Sequence, residues 1–275
     1  MKVVVLGAGP VGCIAKRRLN LVNINGNLFD SMSYDEIHKR TFNHGAHYLW
    51  KPIEGFSVKR CRIITTVDGD QAVEESVRRY KTKVGRYEEG RDWSRQFKPK
   101  SKGYRIISFP DVVINHHHKA KRIDVVNKTV TFANGTEDHF DVIISTIPLN
   151  ILVQISGMVD RPQSVFEYRE IYVYETPSMR CKNEDMVVDY DSSPTESVYR
   201  RTYRDGKCHA ESLKKFDKPD AILTPGKIWT NEETREWVER LKSYNIHCFG
   251  RFGTWEEDEL LHQACEKVQN FVEGL

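Results

Sequence analysis

The sequence predicts an α/β fold that opens with a dinucleotide-binding β-α-β unit and carries a second, mixed β region inserted within it. Three observations predict this. The chain begins with an apolar run, Val3 to Leu6, then Gly7-Ala8-Gly9-Pro10-Val11-Gly12, then a helical stretch from Cys13 to Leu19. Far downstream, Asp141-Val142-Ile143-Ile144-Ser145-Thr146 is a continuous apolar run with a polar end, as expected of a parallel strand buried on both faces. A strand, a turn and a helix close the chain, while residues 165–204 read as several half-exposed strands.

The opening unit carries the most chemistry. Gly7 permits a tight turn, Gly9 lets a pyrophosphate approach the backbone, and Gly12 lets the helix pack close to the strand. The first helical turn, with Pro10 and Val11, offers unpaired N–H groups to phosphates. The next strand, Asn27-Leu28-Phe29, ends in Asp30, eighteen residues after Gly12. A carboxylate there accepts hydrogen bonds from an adenosine ribose and repels a 2′-phosphate.

Residues 31–50 are read as a loop rich in aromatic residues and histidine. A helix is expected over 70–84, with Val73, Val77, Tyr80 and Val84 on one face. Strands are expected at 105–109, 125–126 and 129–132, with turns at Asn127-Lys128 and Asn134-Gly135. Further on, Thr230 and Glu233 suggest a capped helix over 231–244, Ile246 to Phe249 a short strand, and Thr254 with Glu257 the start of a last helix.

The chain has 275 residues, 39% hydrophobic and 29% charged, with a net charge of +3. That length suits one large domain or two small ones. No run approaches the roughly 18 apolar residues that span a bilayer, and the first apolar stretch is too short for a signal peptide. A cytoplasmic protein with no membrane partner is expected. The six cysteines form no CxxC pair, so neither a zinc site nor a disulfide framework is indicated. His116-His117-His118 does not converge as a metal site, since neighbouring residues point to opposite faces. No GxSxG segment supports a nucleophilic hydrolase. Basic residues crowd 81–105 (Lys81, Lys83, Arg86, Arg91, Arg95, Lys98, Lys100, Lys102 and Arg105), either as a solvated surface or as a rim for a phosphorylated or nucleic-acid partner.

Three further segments resemble the FAD-dependent superfamily that includes UDP-galactopyranose mutase, protoporphyrinogen oxidase and the flavin amine oxidases. Phe42-Asn43-His44-Gly45-Ala46-His47 resembles a histidine segment beside the isoalloxazine ring, with Gly45 and His47 matching and Leu49 and Trp50 departing. Phe140 to Leu149, FDVIISTIPL, resembles a segment that brings Thr146 beside the cofactor. Phe249-Gly250-Arg251-Phe252-Gly253-Thr254-Trp255 resembles a segment facing the flavin diphosphate and ring, while Leu261-His262 stands where that family has Met-Asp.

The resemblance implies a Rossmann-like FAD-binding domain built from residues 1–50, 101–155 and 226–275. Residues 51–100 would be a basic helical and loop insertion, and 156–225 the substrate region. Together with the glycine turn and Asp30 it implies cofactor contacts at His47, Thr146, Gly250, Arg251, Gly253, Thr254 and Trp255. Val198 to Arg204 alternates aromatic and basic residues; Tyr199, Arg201 and Tyr203 should share one face and Arg200, Thr202 and Arg204 the other. Tyr199 and Arg200, with His47, are the candidates near the reacting centre. Asp189, Asp191, Ser192 and Ser193 form an acidic turn that would either be solvated or meet an amine.

The function expected is an FAD-dependent oxidoreductase acting on a C–N bond of an amine or amino-acid-derived group, free or linked to a nucleotide or DNA base. Nucleic acid is a candidate partner through residues 81–105. The alternatives are a mutase-like sugar-nucleotide enzyme, an NAD-dependent reductase and a non-catalytic nucleotide-binding module.

Overall fold

The computed structural model describes residues 1–44, 48–85, 97, 100–158, 163–181 and 185–275. The opening unit is β1 (Lys2–Leu6), α1 (Pro10–Leu21) and β2 (Asn25–Phe29). Strands β1 and β2 pair in parallel, Lys2 opposite Asn25 through Leu6 opposite Phe29. A short helix then appears where the sequence suggested a loop: α2 (Tyr34–His44). Its start is fixed by Ser33 and Glu36. The Glu36 carboxylate accepts from the Ser33 N–H at 2.8 Å and its hydroxyl at 2.9 Å, and the Ser33 hydroxyl accepts from the Glu36 N–H at 3.3 Å.

Next come β3 (Ser57–Val67), α3 (Glu74–Lys83), β4 (Lys100–Ser108), β5 (Ala120–Asp124), β6 (Thr129–Phe132), β7 (Glu137–His139), β8 (Val142–Ser145) and α4 (Leu149–Ile155). The chain continues through β9 (Tyr168–Pro177), β10 (Asp185–Tyr190), β11 (Val198–Arg204), β12 (Lys207–Ser212), β13 (Ala221–Ile228), α5 (Glu232–Lys242), β14 (Ile246–Cys248) and α6 (Leu261–Glu273).

The described strands form three sheets. A four-stranded parallel sheet has the order β14-β8-β1-β2. It draws its strands from both ends and the middle of the chain. Alternate residues of β1 serve two cores: Val3 and Val5 pack with Ile14, Ala264 and Val268 of α1 and α6, whereas Val4 and Leu6 pack with Phe132, Ile143, Trp237 and Leu241. Both faces are covered, which explains an apolar run without alternation. The second face is closed by α4, α5 and the small antiparallel sheet β5-β6-β7, whose hairpin turns at Gly135 with φ +83°. This is the α/β, Rossmann-like arrangement predicted, with an inserted mixed sheet.

The inserted sheet has seven strands in the order β13-β9-β12-β11-β10-β3-β4, antiparallel except where β10 runs parallel to β3. Residues 51–100 were expected as helix and loop, yet β3 occupies eleven of them. Exposed Lys59, Arg60 and Arg62 mask its strand pattern, and the apolar residues Ile63 and Val67 enter the core only at its far end. Strand β4 also joins this sheet rather than the parallel one. Among the described residues no helix is long and apolar enough to cross a membrane.

Two helix starts differ from expectation. Helix α5 is capped by Asn231 with Thr234, one residue later than Thr230 with Glu233. The Thr230 hydroxyl is used elsewhere: it donates to the Trp255 carbonyl at 2.8 Å and accepts from the Glu257 N–H at 3.0 Å. Helix α6 begins at Leu261 instead of near Thr254, because the chain turns through Gly250 and Trp255 at φ +82° and +56°. Its buried side is Ala264, Cys265, Val268 and Val272.

Candidate dinucleotide site

The glycine turn is built as its sequence requires. Gly7 has φ +94° and donates its N–H to the Phe29 carbonyl at 2.9 Å, tying the turn to β2. A Cβ on Gly12 would lie 1.9 Å from the Gly7 carbonyl oxygen. A Cβ on Gly9 would meet nothing within 4 Å. The first and third glycines thus serve packing, and the middle one leaves open space at the start of α1. Gly9 is the N-cap and offers no side chain to the first turn, and Pro10 occupies the first helical position. The N–H groups behind it form an anion-binding helix start. Val11 is buried beneath.

Asp30 closes one side. Its carboxylate is buried, with one oxygen accepting from the Ala8 N–H at 2.6 Å and the other from the Met32 N–H at 2.8 Å. An ionised carboxylate has about four acceptor positions, so one on each oxygen remains for a ribose hydroxyl. The same group therefore fixes the turn from both oxygens.

The C-terminal turn closes the other side. A Cβ on Gly250 would touch Val11 Cγ2 at 3.5 Å, which puts Gly250 against the start of α1. Gly253 fits where a Cβ would lie 2.4 Å from the Phe249 carbonyl oxygen. Thr254 donates its backbone N–H at 2.8 Å and its hydroxyl at 3.1 Å to the Gly250 carbonyl, holding the turn shut. Arg251 is half-buried, its guanidinium 5.9 Å from the Phe252 ring. The Thr146 hydroxyl donates toward the Leu6 and Gly7 carbonyls at 3.1 and 2.9 Å, bracing the glycine turn. Trp255 is fully buried against Phe166 and Tyr168, a core anchor rather than an exposed cofactor surface. His47 lies outside the described residues.

The remaining candidates sit on the seven-stranded sheet. Tyr199 and Arg200 were expected on opposite faces, but the β11–β12 register shifts between Val198 and Arg200, and both residues reach Glu211. A bulge lets neighbouring side chains share one partner in this way. Glu211 is buried; it accepts from the Tyr199 hydroxyl and the Arg200 guanidinium, and the Lys227 ammonium lies 4.2 Å from the centre of the Tyr199 ring. Burial pushes the Tyr199 phenol well above its ordinary range, with Glu211 adding to the shift. Burial opposes the charge on Arg200, but Glu211 more than compensates and holds it firmly cationic. Tyr48, immediately after the histidine segment, is hydrogen-bonded to Tyr190, and burial raises its phenol pKa.

The acidic turn is occupied by the protein's own cations. Asp191 accepts from Lys83 at 2.9 Å and Arg201 at 2.8 Å; Asp189 accepts from Thr66 at 2.6 Å and Arg180 at 3.3 Å. Of the basic residues over 81–105, Lys81 and Lys83 point inward and Arg105 pairs with Asp205. Burial raises the Cys13 and Cys248 thiols to about 12, so neither is a ready nucleophile. Glu211 and the pairing of Lys83 with Asp191 carry no local sequence signal, because their partners lie on other strands and helices.

The whole chain is similar to a crystal structure of reduced UDP-galactopyranose mutase, with a TM-score of 0.61 and 16% identity, covering 99% of this chain and 94% of that one. The fold they share is Rossmann-like. A protein from Pyrococcus furiosus is similar at a TM-score of 0.47 and 12% identity, over 92% of this chain and 100% of that one. A peptidyl tryptophan dihydroxylase is similar at 0.41 and 11%, over 79% and 47%. No protein-family model and no curated protein sequence matches the chain.

The residues present fit a dinucleotide cofactor. The open space over Gly9, the uncapped start of α1 and the remaining acceptor positions on Asp30 suit its diphosphate and one ribose.

Proposed function

We propose that the chain is an FAD-dependent oxidoreductase that oxidises a C–N bond of an amine or amino-acid-derived group, free or nucleotide-linked. The observation that supports the FAD part is the packing of Gly250 against Val11 at the start of α1, beside the open backbone at Gly9. It puts the turn that carries Arg251 beside the glycine turn. A guanidinium and a helix start are complementary ways of holding a diphosphate.

When bound, FAD would supply two-electron redox chemistry. The chain's residues then have separate tasks. Asp30 holds a ribose, the first turn of α1 and Arg251 hold the diphosphate, and Thr146 keeps the turn rigid. His47 is assigned to the flavin side by the resemblance. Tyr199 and Arg200 act through Glu211, as positioning residues of the substrate sheet. The amine class rests on the family resemblance, since Asp189 and Asp191 are already paired.

The visible spectrum of the purified protein tests this. Bands near about 370 and 450 nm, with FAD released on denaturation, are expected. A colourless protein that takes up NADH but not added FAD overturns the reading. Substrate-dependent peroxide release, screened over amines and amino-acid derivatives, then tests the amine assignment.

The extent of the likeness to reduced UDP-galactopyranose mutase favours a second reading, a sugar-nucleotide enzyme without net oxidation. Conversion of UDP-galactopyranose by the chemically reduced protein, with no peroxide from any amine, would select it.

A further inference from the structure

The seven-stranded sheet carries a buried cation that the chain does not neutralise. Arg204 ends β11 and is only 7% exposed. Among the described residues its guanidinium makes no hydrogen bond and no ion pair. Burial pushes its pKa down to about 10; Asp205 and Glu175 act against that shift and Arg105 adds to it. The group stays cationic at neutral pH.

Arg204 lines a groove at the foot of the sheet, together with Lys59 and Arg60 of β3, Arg105 of β4 and Asp185 at the start of β10. Lys59 stands opposite Arg105 in the β3–β4 register. The carboxylates nearby are engaged. Asp185 accepts from the Arg62 guanidinium at 2.9 Å, Asp205 accepts from Arg105, and Glu175 pairs with Lys207 at 3.1 Å. Lys59 and Arg60 are exposed and have no carboxylate partner among the described residues. Three cations thus share one opening without a counter-charge. A guanidinium buried without a partner opposes folding, and a bound anion would reverse that.

We propose that this groove is a phosphate-binding site that takes the terminal, dianionic phosphate of a small phosphomonoester. The planar fork of a guanidinium matches phosphate oxygens. Three unanswered charges suit a dianion better than a carboxylate or a phosphodiester, each of which carries one charge. Arg200 and Glu211 lie nearer the other end of β11, and neither the glycine turn nor the Gly250–Trp255 turn lines the groove. The inference goes beyond the proposed function and does not depend on a flavin.

Calorimetric titration of the purified protein with inorganic phosphate, acetate and a hydroxyl-ended thymidine oligonucleotide tests it. Phosphate should bind at least about tenfold more tightly than acetate. Arg204→Met, which keeps an apolar stem, should weaken phosphate at least about tenfold, and Lys59→Ala about threefold. Without phosphate, Arg204→Met should raise the unfolding temperature by about 2 °C or more, since a buried unpaired charge is gone. With phosphate, that advantage should shrink, because only the parent gains from binding. Arg251→Ala should keep the phosphate affinity of the parent. Affinity lost in Arg251→Ala and kept in Arg204→Met would move the anion to the glycine turn and overturn the groove. Equal binding of acetate and phosphate, or an oligonucleotide that binds more tightly than phosphate and needs Arg204, overturns the monoester assignment. If Arg204→Met does not fold, Lys59→Ala decides, since its side chain lies at the surface; unchanged phosphate affinity there overturns the site.

Discussion

Gly12 lies so close to Gly7 that a methyl group on it would sit 1.9 Å from the Gly7 carbonyl oxygen, whereas one on Gly9 would meet nothing within 4 Å. The two positions should therefore respond differently to the same substitution. Gly12→Ala must push α1 away from the turn, costing about 1–3 kcal/mol or more of stability. Gly9→Ala should leave the melting temperature of the cofactor-free protein unchanged yet weaken FAD binding at least about tenfold, because its methyl enters the diphosphate space. Calorimetry of both variants, with and without FAD, checks the contrast.

Arg251→Ala should release FAD without unfolding the chain. Hydrogen bonds to charged groups contribute about 1.5–3 kcal/mol, so the FAD dissociation constant should rise about 10- to 150-fold. Unaltered FAD occupancy after dialysis would remove Arg251 from the site.

Arg200→Ala should act first on stability. It leaves Glu211 buried without its guanidinium, a loss of about 3–5 kcal/mol for breaking such a pair. Replacing both Arg200 and Glu211 with alanine should recover part of that loss, as measured in a double-mutant cycle. A variant of normal stability with lost turnover would instead make Arg200 a direct substrate contact.

Asp191 provides a pH test. Burial favours its neutral form, but hydrogen bonds from Arg201 and Lys83 outweigh that and hold its pKa below the ordinary value. A depressed folded pKa stabilises the protein above the unfolded value of about 3.9, and that contribution disappears as pH falls through the folded value. Asp191→Asn should be less stable than the parent at pH 7, by about 1.5–3 kcal/mol. The gap should close on acidification below about pH 4. Urea unfolding of both proteins between pH 3 and 7 would show it, and a gap independent of pH would contradict the assigned ion pairs.

The parts of the fold most legible in the sequence were those with strong local signals. The Val3–Leu6 run, the glycine turn, Asp30 and the Val142–Ser145 strand each carry their own pattern, and all four meet in the parallel sheet or its turn. Helix α2 was missed although Ser33 and Glu36 carry a capping signature, because its polar, histidine-rich sequence hides a buried face. Strand β3 was missed because basic residues occupy its exposed half. The Glu211 cluster was not legible, since it depends on a register shift in β11. The Lys83–Asp191 pair joins residues more than a hundred positions apart, a separation at which composition and periodicity give no signal.

The sheet order β14-β8-β1-β2 also bears on when this protein can become functional during its synthesis. The glycine turn is synthesised well before the strand leading into the Gly250–Trp255 turn, β14, which starts only at Ile246. Contacts between such distant parts of a chain form late and slowly. A nascent chain halted before Ile246 would display the nucleotide fingerprint without the complete cradle, leaving the apolar edge of β8 uncovered and prone to pairing with a neighbour.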